Sequence, residues 1–194
     1  MKFFIATKNA HKIREFSEIF ADLGIKLISE NDLEKPLRDI EENGKTFEEN
    51  ALIKARFAAK ELSIPTFADD SGLCVDALNG EPGIYSARYA GPHGDNAANN
   101  QKLLKKLENK TNRSAKFVCA IACVFPDGRE FTVRGECKGR IDTQLRGNGG
   151  FGYDPLFISD EKGSFGLISA EEKNSVSHRG NAVKKFKKEI INYI

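Results

Sequence analysis

The 194-residue chain predicts an α/β fold built on a mixed sheet, and three stretches carry that prediction. Residues 2–6 are an apolar run, a buried first strand. The polar loop Thr7-Lys8-Asn9 follows, and Ile13, Phe16, Phe20 and Leu23 then recur on one helical face, with Gly24 where a C′ residue belongs. Residues 115–126 are apolar at nearly every position, the pattern of a strand buried on both faces. Asp127-Gly128 is a hairpin signal, so residues 130–137 should pair antiparallel with that strand. A strand–loop–helix opening combined with a hairpin gives a mixed sheet flanked by helices.

The remaining elements follow in order. Residues 25–29 read as a second strand, and residues 30–45 as an acidic irregular segment containing Glu41 and Glu42. Thr46-Phe47-Glu48-Glu49 is a capping box that opens an Ala-rich helix to about Leu62, with Phe47, Ala51, Ala55, Ala58 and Leu62 available for burial. Residues 64–68 are a short apolar run that ends in Asp69-Asp70, with Ser71-Gly72 as a turn-forming pair. That places two carboxylates at the rim of the sheet, where α/β proteins bind ligands. Leu73-Cys74-Val75 resumes an extended run, and residues 79–94 read as a long Gly- and Pro-rich loop. Asp95 is the N-cap of a helix through Lys110 with Leu103, Leu104 and Leu107 as its stripe. Residues 147–155 form a second Gly-rich loop. Ser169-Ala170-Glu171-Glu172 is another capping box, and a last helix starts near Ala182 with Val183, Phe186 and Ile190 on one face. No internal repeat or low-complexity linker divides the chain, so residues 1–194 read as one domain, open to being drawn out into two lobes.

Composition narrows the functional classes. A net charge of +2 does not announce a nucleic-acid binder, and no apolar run approaches the 18 or so residues of a membrane span. The N-terminal apolar stretch is too short for a signal peptide. Cys74, Cys119, Cys123 and Cys137 form no CxxC pair and have no close His. They read as reduced packing residues of a cytoplasmic protein, with Cys119 and Cys123 facing the same side of their strand. The Walker GxxxxGK[ST], the dinucleotide GxGxxG, the GxSxG nucleophile elbow and the DxDxT phosphatase motif are all absent.

Four segments could carry chemistry. Thr7, Lys8, Asn9 and Lys12 lie between a buried strand and a helix N-terminus, where free amides and the helix dipole favour an anion such as phosphate. The Asp69-Asp70 pair suits Mg²⁺, which takes one or two carboxylates plus phosphate oxygens. Glu41 and Glu42 could add an acid to it. Four glycines within residues 147–152 let the chain approach a ligand closely, and Phe151 and Tyr153 are placed to stack on a planar base. Lys173, His178 and Arg179 supply donors for a carbonyl or a phosphate. Each segment also has an ordinary reading: a strand-ending turn, an N-cap, inward aromatics, a structural histidine. The cluster Lys184, Lys185, Lys187 and Lys188 reads as the solvated face of the last helix.

Taken in order, six motifs strongly resemble one family. They are Thr7-x-Asn9-x-x-Lys12-x-x-Glu15, Phe47-x-Glu49-Asn50-Ala51-x-x-Lys54-Ala55, Ala68-Asp69-Asp70-Ser71-Gly72-Leu73, Pro82-Gly83-Ile84-Tyr85-Ser86-Ala87-Arg88-Tyr89, Gly149-Gly150-Phe151-Gly152-Tyr153-Asp154-Pro155 and Ser177-His178-Arg179-Gly180. The chain is similar in them to the inosine triphosphate pyrophosphatases of the Ham1/RdgB type, which act on noncanonical purine nucleoside triphosphates. The resemblance implies an elongated mixed sheet with two lobes and a nucleotide cleft. It also implies hydrolysis of ITP, dITP and XTP to the monophosphate and pyrophosphate, Mg²⁺ dependence, a cytoplasmic homodimer, and neither nucleic acid nor membrane as partner. Residue by residue, it implies that Thr7, Lys8, Asn9, Ala10, His11 and Lys12 hold the phosphates. Asp70 would be the proton acceptor and a metal ligand, and Glu41 the other metal ligand, with Glu42 its substitute. Ser71, Phe151, Gly152, Tyr153, Asp154, Lys173, His178 and Arg179 would bind the nucleotide. The chain departs from the pattern at Lys8 and His11, where relatives carry Gly, and these changes bear on phosphate geometry. Two other readings remain at this point: a pyrophosphatase for pyrimidine or modified nucleotides, and a non-catalytic nucleic-acid-binding protein using the Lys-rich C-terminus.

Overall fold

A computed structural model describes residues 2–20, 24–91 and 94–193, and not the side chains of Glu18 and Ile19. Leu23, assigned above to the first helical face, lies outside the described residues. Seven strands form one sheet in the order β2-β1-β3-β4-β5-β6-β7. They are β1 Lys2–Ile5, β2 Lys26–Ile28, β3 Thr66–Val75, β4 Ser114–Val124, β5 Glu130–Ile141, β6 Phe157–Ser159 and β7 Gly163–Ser164. The α-helices are α1 Ala10–Phe20, α2 Phe47–Leu62, α3 Asn96–Lys106, α4 Ala170–Val176 and α5 His178–Ile190. The sheet is mixed: β1 pairs parallel with β2 and β3, whereas β6 pairs antiparallel with β5 and β7.

The chain divides into two compact units. The first comprises Met1–Asp70, Cys119–Arg134 and Ala182–Ile194, and the second Ser71–Val118 and Gly135–Asn181. The first unit has two apolar layers. On one side Phe3, Ile5, Phe67, Cys119, Ile121 and Cys123 meet Phe16 and Phe20 of α1 and Val183, Phe186 and Ile190 of α5. Its rings interlock: Phe16 and Phe67 centroids are 5.3 Å apart, and Phe20 and Phe186 5.1 Å apart. Such pairs add about 0.5–1.5 kcal/mol each to the burial of the rings. On the other side Ala51, Ala55 and Ala59 of α2 meet Ala68, Ala122 and Val124, small residues that let helix and sheet approach closely. The second unit is cored by Leu73, Val75, Leu103, Leu107, Phe117, Leu156, Phe157 and Phe165. All four cysteines are free thiols. Burial pushes the Cys123 thiol up to about 12; burial, opposed by Ser159 and reinforced by nearby acids, pushes Cys137 up to about 11.

Five local expectations are corrected. Ser71 and Gly72 do not turn the chain: β3 is one strand of 10 residues, so Asp69 and Asp70 sit in its middle. The capping box at Thr46 forms by half. Thr46 Oγ1 accepts from the Glu49 amide at 3.1 Å, while the Glu49 carboxylate accepts from the Lys45 amide at 2.6 Å, one residue beyond Thr46. Helix α3 stops at Lys106, short of Lys110; just beyond it the Leu107 carbonyl accepts from the Lys110 amide at 3.1 Å and from the Arg113 guanidinium at 3.0 Å, which also reaches the Ile141 and Asp142 carbonyls. Helix α5 starts at His178, four residues before Ala182. Ser177 is extended and accepts from the Gly180 amide at 3.0 Å. Gly180 is a contact point: a Cβ there would lie 1.9 Å from the Asn174 carbonyl oxygen of α4. Strand β5 continues to Ile141, past residue 137, and pairs there with β6, which the sequence reading did not foresee.

Candidate active site

The central position of Asp69 and Asp70 sends them to opposite faces of β3, since successive side chains on a strand alternate. Phe67 and Asp69 share the face that meets α1, and Ala68 and Asp70 the face that meets α2. Asp69 is fully buried, and its Oδ2 lies 2.8 Å from the Lys12 ammonium in the first turn of α1. The turn is set by Asn9, whose Oδ1 accepts from the His11 and Lys12 amides at 2.9 and 3.3 Å. Thr7 Oγ1 accepts from the Asn9 amide at 3.3 Å. Lys8 extends outward and pairs with Asp39 and with Glu30, and Ala10 and His11 are exposed.

Asp70 is held differently. Its Oδ2 accepts from Asn50 Nδ2 at 3.0 Å, and its Oδ1 stands 4.0 Å from the Lys54 ammonium. Lys54 also contacts Glu42 at 2.9 Å and donates to the Asp69 carbonyl at 2.8 Å. Burial raises the Asp70 carboxyl above the usual carboxylate range, against the pull of Lys54 and Lys12. Burial would lower Lys54, but Asp70, Glu42 and Asp69 more than offset it and hold the ammonium above its ordinary value. Both shifts agree with one feature. Three carboxylates face two ammonium groups, leaving an excess negative charge in a partly dry setting. Glu42 is thus the acid brought beside Asp70 through Lys54, while Glu41 is exposed. Among the described residues no group of three or more His, Cys, Asp or Glu is gathered for a metal ion. A donor set of this kind fits Mg²⁺ shared with substrate phosphates rather than a closed protein cage.

In the second unit the Gly-rich loop is fixed by Asp154. Asp154 Oδ2 accepts from the Phe151 amide at 2.7 Å and pairs with the Lys173 ammonium of α4 at 2.7 Å, both side chains being buried. Gly150 has φ +71° and a Cβ there would lie 2.1 Å from Asp154 Oδ2, so only glycine allows this contact. The Lys173 ammonium lies 4.9 Å, and the Arg179 guanidinium 5.8 Å, from the centre of the half-buried Phe151 ring. Arg179, also buried, donates to Ser71 Oγ at 3.1 Å. His178 stacks on Phe117, with centroids 4.7 Å apart and planes 15° apart. The two aromatics of the loop separate in role. Tyr153 turns inward, and its hydroxyl donates to the Ser86 carbonyl at 2.8 Å; burial raises its phenol well above the usual value. The Gly152 carbonyl accepts from Asn100 Nδ2 of α3 at 3.0 Å.

Sequence reasoning did not assign Asn50, Lys54 or Asn100. The signal for the first two was present: polar residues four apart, next to the Ala stripe of α2, share its inward face. Asn100 gave no comparable signal, because its partner is 52 residues away.

A sequence model of the Ham1 family matches residues 3–189, and so nearly the whole chain. The chain belongs to the Ham1 family. Its relatives include a dITP/XTP pyrophosphatase of Bacillus anthracis, 46% identical over 191 residues and covering 96% of this chain and 94% of the relative. Another is a dITP/XTP pyrophosphatase of Geobacter sulfurreducens, 50% identical over 182 residues and covering 92% and 91%. Among solved structures, the Staphylococcus aureus Ham1 protein superposes with a TM-score of 0.89 at 44% identity over 100% of both chains. A HAM1 protein from Coxiella burnetii gives 0.89 at 39% identity over 99% of both. Within this Ham1 chain no described helix is long and apolar enough to cross a membrane.

Proposed function

We propose that the protein is a Mg²⁺-dependent nucleoside triphosphate pyrophosphatase that hydrolyses dITP, ITP and XTP to the monophosphate and pyrophosphate, acting as a cytoplasmic homodimer. The observation that carries the reading is the buried Asp70 carboxylate, raised in pKa and set beside Lys54 and Glu42 in an acid-rich cluster. Near relatives named dITP/XTP pyrophosphatase over almost the full chain support the substrate class.

The chemistry assigns work to each group. Asp70 orients a water in line with the α-phosphorus and accepts its proton, for which a raised carboxyl pKa is an advantage. Asp70 with Glu41 or Glu42 would hold Mg²⁺, which when bound would neutralise phosphate charge. Lys12 and the first amides of α1, together with Thr7, Lys8 and Asn9, offset the charge that moves onto the leaving pyrophosphate. On the base side, Phe151 stacks, while Lys173 and Arg179 present donors to the 6-oxo group of hypoxanthine or xanthine. Adenine would face those donors with an amine, a mismatch costing about 1–3 kcal/mol. Ser71, Gly152, Asp154 and His178 complete the nucleoside contacts, and Tyr153 supports them from behind.

A steady-state assay of ITP, XTP, GTP and ATP with Mg²⁺, resolving pyrophosphate from phosphate, tests the proposal. Release of pyrophosphate from ITP and XTP well above GTP and ATP is expected. Single-phosphate release, or preference for a pyrimidine nucleotide, rejects it. Light scattering in solution tests the dimer, and a monomeric mass removes that part.

A further inference from the structure

The proposed reaction uses Asp70 but gives Asp69 nothing to do. Yet Asp69 is the more deeply buried of the two, at 0% exposure, on a strand face shared with Phe67 and close to Cys119, whose Sγ is 4.0 Å away. Taking a carboxylate out of water is costly, and replacing the whole buried Asp69–Lys12 pair by apolar residues of similar volume would stabilise such a core as well or better. Asp69 must therefore be explained by what it holds. It holds Lys12: Lys12 projects from the first turn of α1, beside the amides organised by Asn9, and its ammonium meets Asp69 Oδ2 at 2.8 Å. Lysine has a flexible four-carbon stem and three donors. One donor directed at a fixed buried acceptor orients the other two. Asp69 is itself fixed, because its carbonyl accepts from Lys54 at 2.8 Å.

We propose that Asp69 is a positioning residue: it anchors the Lys12 ammonium at the mouth of the Thr7–Lys12 loop, and through Lys12 it sets affinity for the triphosphate chain. The two adjacent carboxylates then have separate tasks, one directing a protein cation and the other directing metal and water. This rests on the phosphate-binding reading of the loop given above.

The test compares wild type, Asp69→Asn, Lys12→Met and the double variant Asp69→Asn/Lys12→Met. Inorganic tripolyphosphate binding is measured by calorimetry without divalent cation, and ITP turnover with Mg²⁺. Each single variant is expected to weaken tripolyphosphate roughly tenfold, and the double variant no more than Lys12→Met alone, as coupled neighbours require. For Asp69→Asn the loss should fall on KM, with kcat kept within about threefold, since an anchored ammonium acts on binding. Should Asp69→Asn fold poorly, Asp69→Leu/Lys12→Met removes both charges together, is expected to fold, and should match Lys12→Met in tripolyphosphate affinity. Losses that multiply in either double variant overturn the proposal, as does an Asp69→Asn enzyme that loses kcat while binding tripolyphosphate normally. The coupled pattern without any ITP turnover by wild type would support the Asp69–Lys12 anchor and reject the proposed reaction.

Discussion

In the first unit acids outnumber bases around β3: Asp69, Asp70 and Glu42 face Lys12 and Lys54. In the second unit the balance reverses, with Lys173 and Arg179 set against Asp154 and both cations near one aromatic face. The first cluster has capacity left for a cation. The second has cations already fixed by acid and ring, and capacity left for a carbonyl acceptor and a flat partner. Buried acid and lysine thus occur in both clusters, with opposite charge in excess. The two clusters carry excess charge of equal size and opposite sign, and in the second the cations also lie against the Phe151 ring.

The sharpest way to break this contrast is Asp70→Asn. Loss of the proton acceptor should lower kcat by about 10²–10⁴. Stability should move the other way. Because the folded carboxyl binds its proton more tightly than the unfolded one, stability falls as pH rises from the usual carboxylate value through the raised one, and the full cost is present at neutral pH. The uncharged variant escapes that cost. Melting scans without divalent cation should show it above wild type at neutral pH and converging at acid pH. A lower melting point throughout would mean that Asn50 and Lys54 already balance the charge.

On the other cluster, Phe151→Ala should raise KM for ITP by roughly 5–150-fold, the equivalent of about 1–3 kcal/mol of stacking, with little change in kcat. An equal loss in kcat would give Phe151 a part in the chemical step and erase the division between the two clusters. Asn100→Ala comes next. It removes the donor to the Gly152 carbonyl and should cost about 1–2 kcal/mol in stability. It should also raise KM several-fold by loosening the loop that bears Phe151. Thermal melting and steady-state kinetics measure the two effects separately. The smallest change is expected for Lys8→Gly, because the Lys8 side chain and its closer partner Asp39 are exposed. Exposed pairs contribute little, so KM should shift by less than about fivefold and lose that shift at high salt. A larger effect that persists at high salt would mean that Lys8 contacts the phosphates directly rather than offsetting their charge from a distance.

The elements were legible wherever period and punctuation agreed. Thr46 and Leu62 bound α2 as read, Asp95 and Ser169 cap their helices, and the apolar run of β4 is buried on nearly every side chain. Reading failed where a local rule met a long-range partner. Ser71-Gly72 looks like a turn, but strand pairing keeps it extended. The last helix was read from about Ala182, but it starts at His178. The identity of the chemistry-bearing segments was visible in sequence; their partners were not. Nothing local distinguishes Asp69 from Asp70, since alternation on a strand separates them only once it is known which helix covers each face. Tyr153 and Phe151 likewise look alike in sequence, and only the Ser86 carbonyl waiting for the phenol sorts them.

The buried thiols have a consequence of their own. A sulfhydryl whose pKa is about 12, as at Cys123, is ionised in roughly one molecule in 10⁵ at neutral pH, and the reactive species toward peroxides and alkylating agents is the thiolate. Cys119, Cys123 and Cys137 are buried within the apolar clusters, Cys119 with the buried Asp69 carboxylate 4.0 Å from its sulfur. An enzyme that clears chemically damaged nucleotides would thereby keep its own interior out of reach of the electrophiles and oxidants that accompany such damage, leaving the half-buried Cys74 as the thiol they meet first.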